Sequence, residues 1–169
     1  MTQCMLLVNG VAGNVFTNGR LGKKGHRAGL ADGAERLIVS RSEMERLRLR
    51  RKTDRGTDIG LVLERGTRLH HGDILKVKEK FIVVEQMPEK VASVIMEERG
   101  KLEMVDMAAL IGHTIGNRHR PISILQGKIS FPIQNDSEIE VFEKLMPAGV
   151  RLDFSVQVFV PSGDVHEHA

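Results

Sequence analysis

Tryptophan and tyrosine are absent from the 169 residues, phenylalanine occurs only six times, and cysteine once, as Cys4. Without aromatic platforms, a single-strand nucleic-acid binder built on base stacking has little to work with. One cysteine excludes an intrachain disulfide and any multi-cysteine zinc motif within one chain. The expected role of Cys4 is that of a small buried apolar residue. Long apolar runs are missing too: Phe81–Val84 and Phe154–Val160 are too short or too interrupted to span a bilayer. Met1–Phe16 has no basic start and no long apolar core, so no secretory signal is expected and the cytoplasm is the expected location. Neither sign of charge dominates, since 25 Lys+Arg against 22 Asp+Glu leave a net charge of only +3. There is no phosphate-binding Walker loop, no recognisable Ser-His-Asp arrangement and no supported carboxylate pair, so no enzyme is expected.

What is present is globular: 41% apolar and 28% charged residues. The length suits one ordinary domain or two small ones, at roughly 100–200 residues per domain. Met5–Val8 reads as a strand, after which glycines accumulate up to Gly33 around Lys23, Lys24, His26 and Arg27. Residues 17–35 are expected to form a mobile loop, because glycine loses the most entropy on ordering. From Arg36 to Glu85 the apolar period is two. Arg46-Leu47-Arg48-Leu49-Arg50 alternates as a strand with one wet face, and Ile59–Leu63, Ile74–Val77 and Phe81–Val84 follow. Glu79-Lys80 is expected to be a tight hairpin loop, and no helical stretch is expected among these strands. Residues 1–86 therefore read as a small all-β domain.

Met87-Pro88-Glu89 is a natural joint, because the residue before a proline avoids the helical region. Beyond it the order becomes strand (Val91–Met96), helix, strand (Ile122–Leu125), strand (Lys128–Phe131), helix and strand (Leu152–Val160). Met104, Met107, Ala108, Ile111 and Ile115 recur at helical steps, and Pro121 stops that helix. Ser137-Glu138-Ile139-Glu140 reads as a capping box for the second helix, with Ile139, Phe142 and Leu145 on its buried stripe. The βαββαβ order over 87–161 is that of a ferredoxin-like domain, so the fold class is α+β. Residues 162–169 make a polar tail ending in His166-Glu167-His168.

Seven histidines are the unusual feature: His26, His70, His71, His113, His119, His166 and His168. His119 falls at or just past the end of the long helix, where the negative end of the dipole favours a cation or a bound metal. A helix-terminal histidine is equally an ordinary capping or surface residue. His166 and His168 suit Ni, Cu or Zn as mobile imidazole donors, or are a passive terminus. His113, on the face shared with Asp106 and Asn117, is a possible secondary ligand or a solvated side chain. His70-His71 reads as a surface turn. One fixed ligand plus a tail is too few for a closed structural zinc site, but a two-fold dimer brings two copies of His119 together. The Arg46–Lys52 ladder is a solvated strand face or, in a second reading, the face of an RNA- or ribosome-associated β-barrel protein. A purely structural dimeric adaptor is the third. RNA binding predicts affinity that falls steeply with salt; a metal site does not.

At Gly116-Asn117-Arg118-His119, followed by Arg120-Pro121, the chain resembles the UreE family of urease accessory nickel metallochaperones. Arg48-Leu49-Arg50, Gly60–Thr67 and Gly72–Leu75 resemble the family's N-terminal β domain, and the likeness runs from about Leu37 to the tail. It implies a homodimer paired through the C-terminal domains, with His119 of each subunit holding one Ni(II) as cargo. His166 and His168 would complete the coordination, and Cu(II) or Zn(II) would enter the same site. The implied partners are a urease accessory GTPase and the urease apoprotein assembly complex, with no membrane and no nucleic acid. The tail lacks the long histidine run of some members. Thr114 stands where some carry an auxiliary histidine, with His113 one position away.

Overall fold

Alternating apolar residues build the first half of the molecule, whose computed structural model describes residues 5–16 and 34–162. The chain divides into two units, Met1–Met87 and Pro88–Ala169. Strands β1 (Leu6–Val8), β2 (Gly13–Asn14) and β3 (Glu35–Val39) are followed by a single helical turn, α1 (Arg41–Met44). Strands β4 (Arg48–Lys52), β5 (Asp58–Val62), β6 (Asp73–Val77) and β7 (Lys80–Gln86) complete the first unit. They form two sheets in the orders β1-β5-β4 and β2-β6-β7-β3. The β1–β5 and β3–β7 pairs are parallel, the others antiparallel. One residue in two turns inward along β3 and β7, so Leu37, Val39, Ile82 and Val84 join Leu49, Ile59, Leu61 and Leu75 in one buried cluster.

A buried polar knot ties this unit together. Glu35 accepts from Lys80 Nζ at 2.7 Å and from Thr53 Oγ1, which in turn accepts the Thr57 N–H. Burial pushes the Glu35 carboxyl up, but the hydrogen bonds from Lys80, Thr53 and Thr57 outweigh it and hold the group below the usual carboxylate range.

Three expectations fail in this unit. Glu35 starts a strand rather than ending a loop; residues 17–33, like Cys4, lie outside the described residues. The strands are interrupted by α1, because Ser40 and Glu43 form a reciprocal capping box. The register of β4 against β5 continues through Arg51, whose guanidinium pairs with Glu43. The hairpin loop is Lys78-Glu79, one residue earlier than expected, since Val77 pairs with Lys80 and Lys78 takes the positive φ (55°).

The second unit runs β8 (Glu89–Met96), α2 (Lys101–Gly116), β9 (Ser123–Leu125), β10 (Lys128–Pro132), α3 (Ser137–Leu145), β11 (Val150–Gln157). Its sheet has the order β11-β8-β10-β9 with every pair antiparallel, so the molecule is of the α+β class. Ile111 and Ile115 of α2 and Phe142 of α3 pack with Ala92, Val94, Ile129 and Phe131 of the sheet. Gln126 and Gly127, both at positive φ, make the two-residue hairpin between β9 and β10, a conformation glycine adopts without penalty.

Two details differ from expectation. Ser137 is not the cap of α3: it is the first helical residue, and Asn135 Oδ1 accepts from the Glu138 N–H and from Ser137 Oγ instead. The last strand ends at Gln157, not Val160, because Gln157 pairs with Glu89 and the residue before Glu89 is a proline, which has no N–H to extend the ladder.

Candidate metal centre

Helix α2 must stop before Pro121, and Arg120, as the residue preceding a proline, is disfavoured in the helical region. The helix ends through two backbone bonds: His119 N–H donates to the Gly116 carbonyl at 2.8 Å, and Arg120 N–H to the Ile115 carbonyl at 3.4 Å. This is the Schellman arrangement, in which the reversing residue is left-handed and usually glycine. Here it is His119, at φ 53°. Histidine is among the residues that tolerate this region, though at a cost of up to about 1–2 kcal/mol for an L side chain. The side chain is exposed, beside the carbonyl end of the helix dipole. The backbone that carries this exposed imidazole is fixed by the two bonds of the turn.

The turn is braced from α3. The Arg120 guanidinium pairs with Glu138 Oε1, while Glu138 Oε2 accepts the Gln134 N–H at 2.9 Å. The residue beside His119 is thereby tied to the start of a second helix. Neither member of this pair carries a local signal in the sequence, since they are separated by 18 positions.

His113 is exposed on the last turn of α2, and its Nε2 lies 2.9 Å from Asn117 Nδ2. An amide nitrogen only donates, so Nε2 accepts and the neutral ring carries its proton on Nδ1. His166 and His168 lie outside the described residues. Among the described residues no three His, Cys, Asp or Glu side chains gather as a ready metal cluster, so His119 and His113 do not make a site alone.

The outward face of α2 carries exposed apolar side chains beside Asp106, His113 and Asn117. Leu102, Val105 and Leu110 are 82%, 62% and 54% exposed on the helix that presents His113 and ends at the His119 turn. Ala109 and Gly116 lie on the same side by helical spacing.

His26 lies outside the described residues; His70, His71 and part of the basic ladder have structural partners. His71 Nδ1 accepts the Gln86 N–H at 3.1 Å, its carbonyl accepts from Asn14, and its ring stacks on Phe16. His70 N–H donates to Asp73 at 2.7 Å, so this pair holds a turn in place rather than merely facing water. Arg50 is bidentate to Asp58 and Arg51 is bound to Glu43, so two of the five cations of Arg46–Lys52 are paired within the unit. No helix of the described residues is long and apolar enough to cross a membrane.

Residues 19–86 match the family described as UreE urease accessory protein, N-terminal domain. A urease accessory protein UreE of Natronomonas pharaonis is 32% identical over 132 residues, covering 78% of this chain and 61% of the relative. Another from Cupriavidus necator is 31% identical over 140 residues, 80% of this chain and 68% of the relative. Urease accessory protein UreE 1 of Pseudomonas syringae pv. tomato is 29% identical over 147 residues, 85% and 93% of the two chains.

Proposed function

The chain belongs to the UreE family of urease accessory proteins, and we propose that it is a nickel metallochaperone, which binds Ni(II) as cargo at a homodimer interface and hands it on during assembly of the urease active site. The observation that carries this reading is the exposed His119 on the left-handed turn at the end of α2. A backbone reversal usually given to glycine is here given to an imidazole, and imidazole suits nickel, copper and zinc.

In this reading the second unit is the ferredoxin-like, metal-binding and dimerising domain over 87–161, and residues 162–169 are the tail. The first unit, over 1–86, is the N-terminal β domain. Two copies meet through the outward face of α2, where Leu102, Val105 and Leu110 lie uncovered in one chain. The meeting brings the two His119 rings to one ion. His166 and His168 fill or exchange the remaining positions, and His113 contributes only after giving up Asn117. Such a site is open by construction, which favours ligand exchange over storage. Every donor is a histidine that must be neutral to ligate, so protons compete with the metal. Cu(II) competes at least as well as Ni(II), and Zn(II) also enters the site, so selectivity lies in availability and handover. The partners are a urease accessory GTPase and the urease apoprotein complex in the cytoplasm, and the chain itself catalyses no reaction. The internal pairing of Arg50 and Arg51 does not favour the RNA reading.

The test is nickel titration calorimetry with light scattering on wild type and His119→Ala. The expected result is one tight nickel per dimer in the wild type and its loss in the variant. A His119→Ala dimer that keeps one tight nickel overturns the assignment.

A further inference from the structure

The sheet of the second unit ends in β9 on one side and β11 on the other, and its two edges are finished differently. At β9, Ser162 donates its N–H to the Ile122 carbonyl and accepts the Ile124 N–H on Oγ, which covers backbone groups an edge leaves bare. At β11 nothing does this. The Glu97 N–H donates to the Gly149 carbonyl, so Gly149 faces β8, and so does every second residue after it: Arg151, Asp153, Ser155 and Gln157. Leu152, Phe154 and Val156 therefore turn their N–H and C=O groups outward, as Val150 does its C=O. Among the described residues nothing bonds to these groups, whereas the Val150 N–H is turned back to the Pro147 carbonyl. Edge strands are normally kept short, bulged, or guarded by proline or lysine. β11 is eight residues long in unbroken register and has neither residue.

We propose that β11 is a self-association edge, along which two copies of the chain pair antiparallel about a two-fold axis at Leu152 and join their four-stranded sheets into one. This does not rest on the nickel reading. Charge sets the register. Val150, Leu152 and Phe154 pack on the helix side of the sheet, so Arg151 and Asp153 lie on its other face. Both are exposed, and neither has an ion pair among the described residues. With the axis at Leu152, Arg151 of each copy stands opposite Asp153 of the other, in the non-hydrogen-bonded positions where side chains come closest. An axis at Asp153 would set two carboxylates opposite each other, and one at Arg151 two guanidiniums. An axis at Phe154 would face both charges with the uncharged Ser155 and Gln157. On the helix side, the Leu152 register brings Leu152 against Leu152 and Val150 against Phe154, side chains only partly buried in one chain. The two Leu152 residues exchange N–H and C=O bonds, and each Val150 carbonyl accepts the Phe154 N–H of the other copy. The outward face of α2 is a different surface, so this pairing adds to a dimer formed there. The ladder Val150–Phe154 is short and falls below the roughly 1,000 Å² of a stable interface, so the association is weak and grows with concentration.

The experiment is light scattering over a concentration series on the full, metal-free chain, for wild type, Arg151→Asp, Asp153→Arg and the double variant Arg151→Asp/Asp153→Arg. Amide hydrogen exchange at Leu152 and Phe154 reports the edge itself. In the wild type, mass should rise with concentration while exchange at both amides slows. Each single reversal sets like charges opposite and should weaken the association about tenfold or more. The double reversal restores opposite charges and should return it to within about threefold of wild type. Recovery separates pairing from a fold effect, because a second charge change would not repair damage done by the first. If both single variants associate like wild type, another surface is responsible and the proposal is overturned. It is equally overturned if the double variant stays as weak as the single ones, or if the two amides exchange at one rate at every concentration.

Discussion

Asn117 holds His113: its side-chain amide stands 2.9 Å from the Nε2 atom of the imidazole one turn back on α2. A metal would have to displace that bond, whereas His119 has no such bond to displace among the described residues. His113→Ala should therefore change nickel affinity by less than about threefold, against the tenfold that each 1.4 kcal/mol of lost ligation represents. Calorimetry on the single variant checks this, and a loss of tenfold or more would put His113 in the coordination sphere.

The left-handed backbone at His119 separates folding from binding. His119→Gly relieves the side-chain penalty at φ 53° while giving the unfolded chain more freedom. The balance should be neutral to stabilising, by up to about 1 kcal/mol, in denaturant unfolding of the metal-free protein. His119→Ala, which keeps a β-carbon in the same region, should be less stable than His119→Gly. Both should lose the tight nickel site. A glycine variant clearly less stable than the alanine variant would contradict the backbone penalty assigned to His119.

Arg120 and Glu138 are both largely shielded from water, so breaking the pair strands a charge. Arg120→Ala should cost about 2 kcal/mol in the second unit. It should also loosen the His119 turn, seen as faster amide exchange at His119 and Arg120. If stability and exchange both stay at wild-type values, the brace has no role in holding the site.

Acid should attack the first unit through Glu35. Its pKa is lowered in the folded state, so its contribution to stability is complete above the ordinary glutamate value of about 4.3 and is lost as pH falls through the lower folded value. Lys80→Met removes the strongest of the bonds that hold the group ionised, leaving its burial to act. The variant should unfold at a higher pH than wild type when acid titration is followed by circular dichroism. An unchanged or lower midpoint would contradict the role given to the knot.

Periodic elements were legible in the sequence. The stripe Met104, Met107, Ala108, Ile111 and Ile115 marks a helix that runs over Lys101–Gly116, with Ile111 and Ile115 its buried members. Alternation likewise marks β5, β6 and β7 to within a few residues. What failed depends on competition between neighbours. The Asn135 side chain rather than that of Ser137 accepts at the start of α3, and Lys78 rather than Lys80 enters the hairpin loop. Each choice is decided by which of two adjacent polar groups finds a partner, and periodicity does not report that. In the site, the place of His119 after the helix could be read from Pro121. The Arg120–Glu138 brace and the Ser162 bonds could not, because they join residues 18 and 38 positions apart with no repeating pattern between them.

Ser162 donates its N–H to the Ile122 carbonyl at 2.7 Å and accepts the Ile124 N–H on Oγ at 2.6 Å, and these two bonds bear on how the protein behaves in a tube. Beside them, Ile124 and Leu125 are 54% and 71% exposed at the tip of the β9–β10 hairpin. A chain cut from Asp164 onward keeps the serine and should stay dispersed. A chain cut two residues earlier uncovers bare backbone next to those greasy side chains, a template on which molecules pair edge to edge. The shorter product should precipitate, and its loss of nickel uptake would then be mistaken for a missing ligand.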